Sequence, residues 1–479
     1  MATLSPRTHI IIFWTFSIAC AIGMASPSNT PNKRSNPKDP TTLVFPSFLH
    51  TYGIRKATRF HLFLFTQNRA KFMDPQGLAV VRLKAWEDTT RTSDDDEVTV
   101  YGVNSGQDCI IYNTSMKSIG IYGLDETGER RLHRPRGIAA NDLGEVYVAD
   151  TGHHRVVKFF NPGHELKFDK SVGQLGTGPA YFTEPHDVAV DSKGTVFVVD
   201  TGNHRVQIFS SELEYLGSWG KKGQAPGQLH QPTAIALVDK NELWNYFHEE
   251  LVVIIDLNHS RIQIFTLQGK FIRAVSTREF GYPNAQLAYL ALDYYNNIYA
   301  TDTRNHCIHK FDHRLNYLTS YGSYGSDDKQ FIEPRGITIY RRFGQVFVAE
   351  KWGAQYYWIG TDCFDFQVIT HPAQELIEFK YFLTEPSFVT VDILDERKLL
   401  VTRLFIRQFH FSGWQSDYWA GHVWAVPDSV FEKEGYQPSP LYQPTKSIPP
   451  GHYSVKYRIE PTYSSYHYFS KTITGEFAR

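Results

Sequence analysis

The chain has 479 residues, 42% hydrophobic and 21% charged, a composition that excludes a disordered polymer and allows a large core. Its net charge of −1 and pI near 7.1 give no global field of one sign, which argues against a nucleic-acid partner or an acidic membrane surface. None of the four cysteines (Cys20, Cys109, Cys307, Cys363) forms a CxxC pair, so zinc knuckles and thioredoxin-like motifs are absent and one disulfide at most is allowed. In chain order, residues 1–25 read as an export signal. Arg7 and His9 precede an apolar run at 10–21, IIIFWTFSIACA, and Gly23, Met24 and Ala25 form the cleavage region before Ser26. The run falls short of the roughly 20 residues that a membrane helix needs. The mature protein is therefore expected outside the cytoplasm: secreted, periplasmic or lipid-anchored at Cys20, the anchor being its one route to a membrane. Residues 26–59 are expected to be a flexible linker, opening on a stretch rich in Pro, Asn, Ser and Lys.

Residues 60–411 consist of repeats. The segments 135–159, PRGIAANDLGEVYVADTGHHRVVKF, and 185–209, PHDVAVDSKGTVFVVDTGNHRVQIF, align without gaps. Each predicts short strands separated by a Gly turn and a tight polar loop, with no helical period. Weaker copies open at 75, 232, 287, 334 and 386. The starts lie 47 to 60 residues apart, enough for one four-stranded blade each. Seven starts favour seven blades, and six are allowed. A row of blades leaves two bare strand edges, which a ring removes. The apolar segment 60–65, FHLFLF, is expected to supply the outer strand of the last blade and close that ring. Residues 412–479 match no repeat. Their three tryptophans, the Pro-rich stretch 438–450 and the alternating HYSVKYRIE and SYHYFSKTIT predict a small β extension.

These copies resemble the NHL repeat family, whose pattern runs Pro-x-Gly-Ile-Ala-Val-Asp and then Val-Tyr-Val-Ala-Asp-Thr-Gly-Asn-His-Arg-Val-Gln-Val-Phe. The resemblance implies an all-β propeller. It is fullest at 185–209; Glu350 and Thr402 stand where the pattern has Asp, and the copy at 75 lacks the polar loop. That loop recurs at Asp150, Asp200, Asp256 and Asp302. A group repeated in every blade is structural, with the Asp accepting turn N–H bonds and the Arg pairing with it.

In a propeller the first strand of each blade lines the central channel. The residues after the blade-opening position are Gln76, Arg136, His186, Thr233, Ala288, Arg335 and Ser387. Homologous positions in a ring converge on its axis, so these side chains are the candidate ligand-binding set at the channel mouth. Arg136, His186 and Arg335 make that mouth cationic and suited to an acidic group. The sequence Pro185-His186-Asp187 is also similar to the blade starts at which the peptidyl-hydroxyglycine amidating lyases place zinc-binding histidines. The other positions are not His, and one imidazole does not make a three-ligand zinc site. No catalytic residue is assigned and no cofactor is expected. The alternative, a lyase or hydrolase with a metal at the channel, stays open. Intracellular NHL proteins that bind RNA or ubiquitination targets join the propeller to zinc-bearing domains, and no RING-like cysteines occur here. The expected function is an exported, monomeric binding scaffold for a protein, peptide or surface ligand.

Overall fold

The computed structural model describes residues 40–46, 55–86, 98–115 and 118–479. The segments expected to be an export signal and most of the linker lie outside them. Among the described residues no helix is long and apolar enough to cross a membrane.

Six antiparallel blades form the ring. Blade 1 runs outward through Pro75–Val81, Thr99–Asn104, Cys109–Ser115 and Ser118–Tyr122. Blades 2 to 5 repeat this order from the inner strands Ile138–Ala140, Pro185–Val190, Pro232–Val238 and Leu287–Leu292. Blade 6 begins at Ile337–Tyr340, and its inner strand packs against the inner strand of blade 1, which closes the ring. Each blade is covered on both faces by its neighbours. Its middle strands are therefore rich in buried apolar residues, as in Val196, Phe197, Val198 and Val199. Six is the smaller of the two counts the repeats allowed.

The recurrent polar loop is a structural clasp. In blade 3 the buried Asp200 accepts the Thr183 N–H at 2.9 Å and the Arg205 Nε–H at 2.8 Å. Asp150 with Arg155 and Asp256 with Arg261 repeat the pair at 2.8 and 2.9 Å. His154, His204 and His306 each accept, at Nδ1, a backbone N–H of the segment leading into the next blade, from Glu184, Gln231 and Glu333 at 3.1, 3.0 and 3.0 Å.

Closure uses the segment before the first blade, but not residues 60–65. Leu43–Val44 and Lys56–Ala57 pair with Gly353–Ile359 and form the outer edge of blade 6. Leu43 is buried in the core shared by blades 5 and 6, and Phe45 stacks on Tyr357 at 4.6 Å. The FHLFLF segment is a helix, α1 (Arg59–Thr66), capped by Thr58, whose backbone N–H reaches His61 Nδ1 at 3.2 Å. Only Leu62 and Thr66 of α1 are buried, whereas Phe60, Phe63, Leu64 and Phe65 are exposed. A blade strand would have needed cover on both faces.

The copy opening at Pro386 is not a blade. Its strand Ser387–Leu394 pairs on one side with Leu400–His410 and on the other with His452–Pro461, which pairs onward with Lys471–Ala478. A second sheet, Cys363–His371, Leu376–Leu383 and Gly413–Trp419, lies against this one around Phe379, Tyr381, Trp419 and Tyr457. The C-terminal module thus starts near residue 363, not at 412, and is a two-sheet sandwich. Asp362 accepts the Thr41 N–H and the Thr42 hydroxyl, both at 2.8 Å. Lys310 of blade 5 is ion-paired to the buried Glu385. These contacts fasten the sandwich to blades 5 and 6. Cys109, Cys307 and Cys363 are unpaired.

Candidate functional site

The repeat places two consecutive residues of each inner strand at the axis. The second of them faces the neighbouring backbone, and this sets its size. The Gly77 N–H donates to the Arg136 carbonyl and the Gly137 N–H to the His186 carbonyl, both at 2.9 Å. A Cβ on Gly336 would sit 2.1 Å from the Gln76 carbonyl oxygen, so a larger residue there would force the blades apart. Blades 3, 4 and 5 break the glycine pattern with Asp187, Ala234 and Tyr289.

The first of the two residues lines a cavity of about 750 Å³ at one end of the axis. Gln76, Arg136, His186, Thr233, Ala288 and Arg335, one from each blade, all contribute to its wall. Ser387 does not. It is buried in the sandwich, where its hydroxyl donates to the Glu385 carbonyl and is hydrogen-bonded to the Thr361 hydroxyl, at 2.9 Å each. Tyr289 forms the floor. Its hydroxyl donates to Gln76 Oε1 at 3.1 Å, and its ring centroid is 6.0 Å from that of His186. A blade 5 side chain that meets blades 1 and 3 crosses the axis, so the cavity is blind.

The charge pattern differs from a cationic trio. His186 is neutral: burial drives its pKa down to about 3, the Arg136 charge adds to this, and a main-chain contact at Thr233 opposes it. Its Nε2 lies 3.3 Å from an Arg136 terminal nitrogen and accepts from it. Arg335 is ion-paired with Asp74 and lies 3.3 Å from Glu333, which also takes Lys351 at 2.6 Å. Among the described residues no carboxylate pairs with Arg136 or with Arg304, which stands exposed at the rim. Two buried polar atoms beside Arg136, His186 Nδ1 and Thr233 Oγ1, lack a partner of hydrogen-bond geometry.

Against this geometry, the NHL repeat family model matches residues 132–159 and 182–209. This propeller carries NHL repeats. The two matched segments are the ones holding Arg136 and His186, which meet on the cavity wall. Similar solved structures include virginiamycin B lyase from Staphylococcus aureus (14% identity, TM-score 0.39, 56% of this chain and 79% of that chain). A streptogramin B lyase (15%, TM-score 0.41, 60% and 94%) and a gluconolactonase from Xanthomonas campestris (11%, TM-score 0.41, 60% and 86%) are also similar. At these identities the likeness is one of fold alone. No curated protein sequence matches the chain.

Two site residues are not apparent from the sequence pattern of the channel. Asp187 is buried, its oxygens accepting the Val188 and Ile235 N–H groups at 2.9 and 3.0 Å; burial pushes its pKa up to about 7 against those two bonds. Tyr289 is the other. The signal for both lies one residue beyond the channel-lining positions, where the NHL pattern asks for Gly and blades 3 and 5 carry a polar or aromatic side chain.

Proposed function

We propose that this NHL propeller is a binding scaffold that takes an acidic group of a peptide or protein partner into its blind axial cavity. Arg136 carries the reading. It lies half-buried on the cavity wall and spends its hydrogen bond on a neutral imidazole, so its charge is free to meet an anion. Arg304 adds a second uncompensated cation at the entrance. Export from the cytoplasm and a monomeric state complete the proposal, on the strength of the leader and of a closed ring.

The competing proposal, a lyase or hydrolase with an axial metal, has weaker support. The lone pair of His186 that a metal would use already accepts from Arg136. The carboxylates on the wall, Asp74 and Glu333, are held by Arg335 and Lys351. A peptide array with matched Asp/Asn and Glu/Gln members tests the scaffold reading on the full-length chain. Retention of the acidic members over their amides, weakening with salt, is the expected result. Equal retention of acid and amide would sink it.

A further inference from the structure

Blade 5 departs from blades 3 and 4 at the clasp that neutralises the buried loop aspartate. In blade 3, Asp200 faces Arg205 across the hairpin and takes Arg205 Nε at 2.8 Å and Gln207 Nε2 at 3.0 Å. In blade 4, Asp256 faces Arg261 and takes Arg261 Nε at 2.9 Å and Gln263 Nε2 at 3.3 Å. In blade 5 the residue facing Asp302 is Cys307, and the Gln position is His309. The Asp302 side chain is fully buried, and its ionic partner among the described residues is His309 alone. The arginine that balances this charge elsewhere has been replaced by two metal-binding side chain types.

We propose that Asp302, Cys307 and His309 bind a thiophilic divalent cation, zinc being the ion they fit. Their ligand atoms all lie within 4.8 Å of one another. His309 Nε2 is 3.0 Å from Asp302 Oδ2 and 3.8 Å from Cys307 Sγ. Zinc bonds of about 2.0–2.3 Å at tetrahedral angles hold ligand atoms roughly 3.3–3.6 Å apart, so small shifts suffice. The imidazole is already aimed. His309 Nδ1 bonds Ser320 Oγ at 2.7 Å, and that oxygen bonds the Tyr317 hydroxyl at 2.7 Å. Ser320 Oγ can accept from an Nδ1–H, so the proton can move to Nδ1 and leave Nε2 to a metal that replaces the Asp302 contact.

The charges balance. On binding, Cys307 releases its proton to solvent, and carboxylate plus thiolate against Zn²⁺ make a neutral buried set. One coordination position remains for a water. The pairing of thiolate with imidazole selects zinc over magnesium or calcium. Arg304 and Asn305, in the turn between Asp302 and Cys307, are exposed, so opening of this turn admits the ion. None of the three ligands lines the axial cavity.

Cobalt(II), added to the chelator-treated full-length chain, is the probe. One equivalent should bind with a thiolate-to-cobalt charge-transfer band, zinc should displace it, and saturating zinc should raise Tm by several degrees. The double variant Cys307→Arg/His309→Gln rebuilds the Asp–Arg–Gln clasp of blades 3 and 4. It should melt no lower than the metal-free chain and bind cobalt about 100-fold more weakly or worse. Replacing Cys109 and Cys363 by Ser should leave the band intact. Absence of the band in the natural chain, or its survival in the double variant, would overturn the proposal.

Discussion

Blade 3 and the segment opening at Pro386 start almost alike, as PHDVAVD and PSFVTVD, yet one is a blade and the other belongs to a sandwich. The difference lies in the residues beyond the opener. In blade 3, Asp191 ends the inner strand by accepting the Lys193 and Thr195 N–H groups at 2.9 and 2.7 Å, and the Asp200–Arg205 clasp turns the second hairpin. In the later segment Asp392 is drawn into a pair with the buried Arg403, whose Nε lies 2.5 Å from it. The turn-capping role passes to Asp395, which accepts the Arg397 and Leu399 N–H groups at 2.9 Å each. Thr402 stands where the clasp Asp would be. The strands lengthen to Ser387–Leu394 and Leu400–His410 and take partners from the C-terminal tail. The opener alone does not make a blade.

Three changes probe this division between ring and sandwich, in falling order of effect. Starting the chain at residue 59 removes the edge of blade 6, strips Leu43 and Phe45 from its core and takes Thr41 and Thr42 from the buried Asp362. The expected cost is about 5 kcal/mol or more, close to the whole stability of an ordinary domain, and is read as loss of cooperative unfolding. Replacing the exposed Phe60, Phe63 and Leu64 by Ser should leave the melt nearly unchanged. The reverse ranking would return closure to residues 60–65. Next, Arg205→Ala leaves a buried carboxylate uncompensated and should cost about 3–5 kcal/mol in urea unfolding. Arg403→Ala should cost a similar amount in the sandwich. Separate transitions shifted by the two variants would mark ring and sandwich as distinct cooperative units.

The third concerns Asp187, whose folded pKa of about 7 lies above its ordinary 3.8. The folded chain then holds a proton that the unfolded chain releases between those values. This contribution to stability is therefore largest at low pH and is lost as pH rises toward 7, by up to about 4 kcal/mol. Asp187→Asn should flatten the decline in urea midpoint between about pH 4.5 and 7.5. A slope unchanged by the variant would show that Asp187 is ionised in the fold.

The fold is legible in the sequence because the repeat states it at every level: alternation, turn glycines, the clasp loop and the channel register all recur. The convergence of Gln76, Arg136, His186, Thr233, Ala288 and Arg335 on one cavity comes from that register alone. The features that are not legible depend on neighbours distant in sequence. The FHLFLF run alternates like a strand, but nothing in the ring covers a second apolar face there, and Thr58 and His61 cap a helix instead. The mouth is less cationic than its openers suggest because Asp74 and Glu333, each one residue before an opener, supply the charges that neutralise Arg335. Tyr289 closes the channel from a position where size is normally forbidden.

Arg136 and Arg335 hold equivalent places in their blades and differ in compensation, so the decisive measurement sets one against the other. An acidic peptide selected from the array is titrated against the natural chain, Arg136→Ala and Arg335→Ala. A charge-assisted hydrogen bond of about 1.5–3 kcal/mol predicts a loss of roughly 10- to 150-fold for Arg136→Ala, with Tm held. Arg335→Ala, whose charge is already spent on Asp74 and Glu333, should lose far less. Undiminished affinity in Arg136→Ala, or an equal loss in both, would contradict an axial cavity that reads its ligand through Arg136.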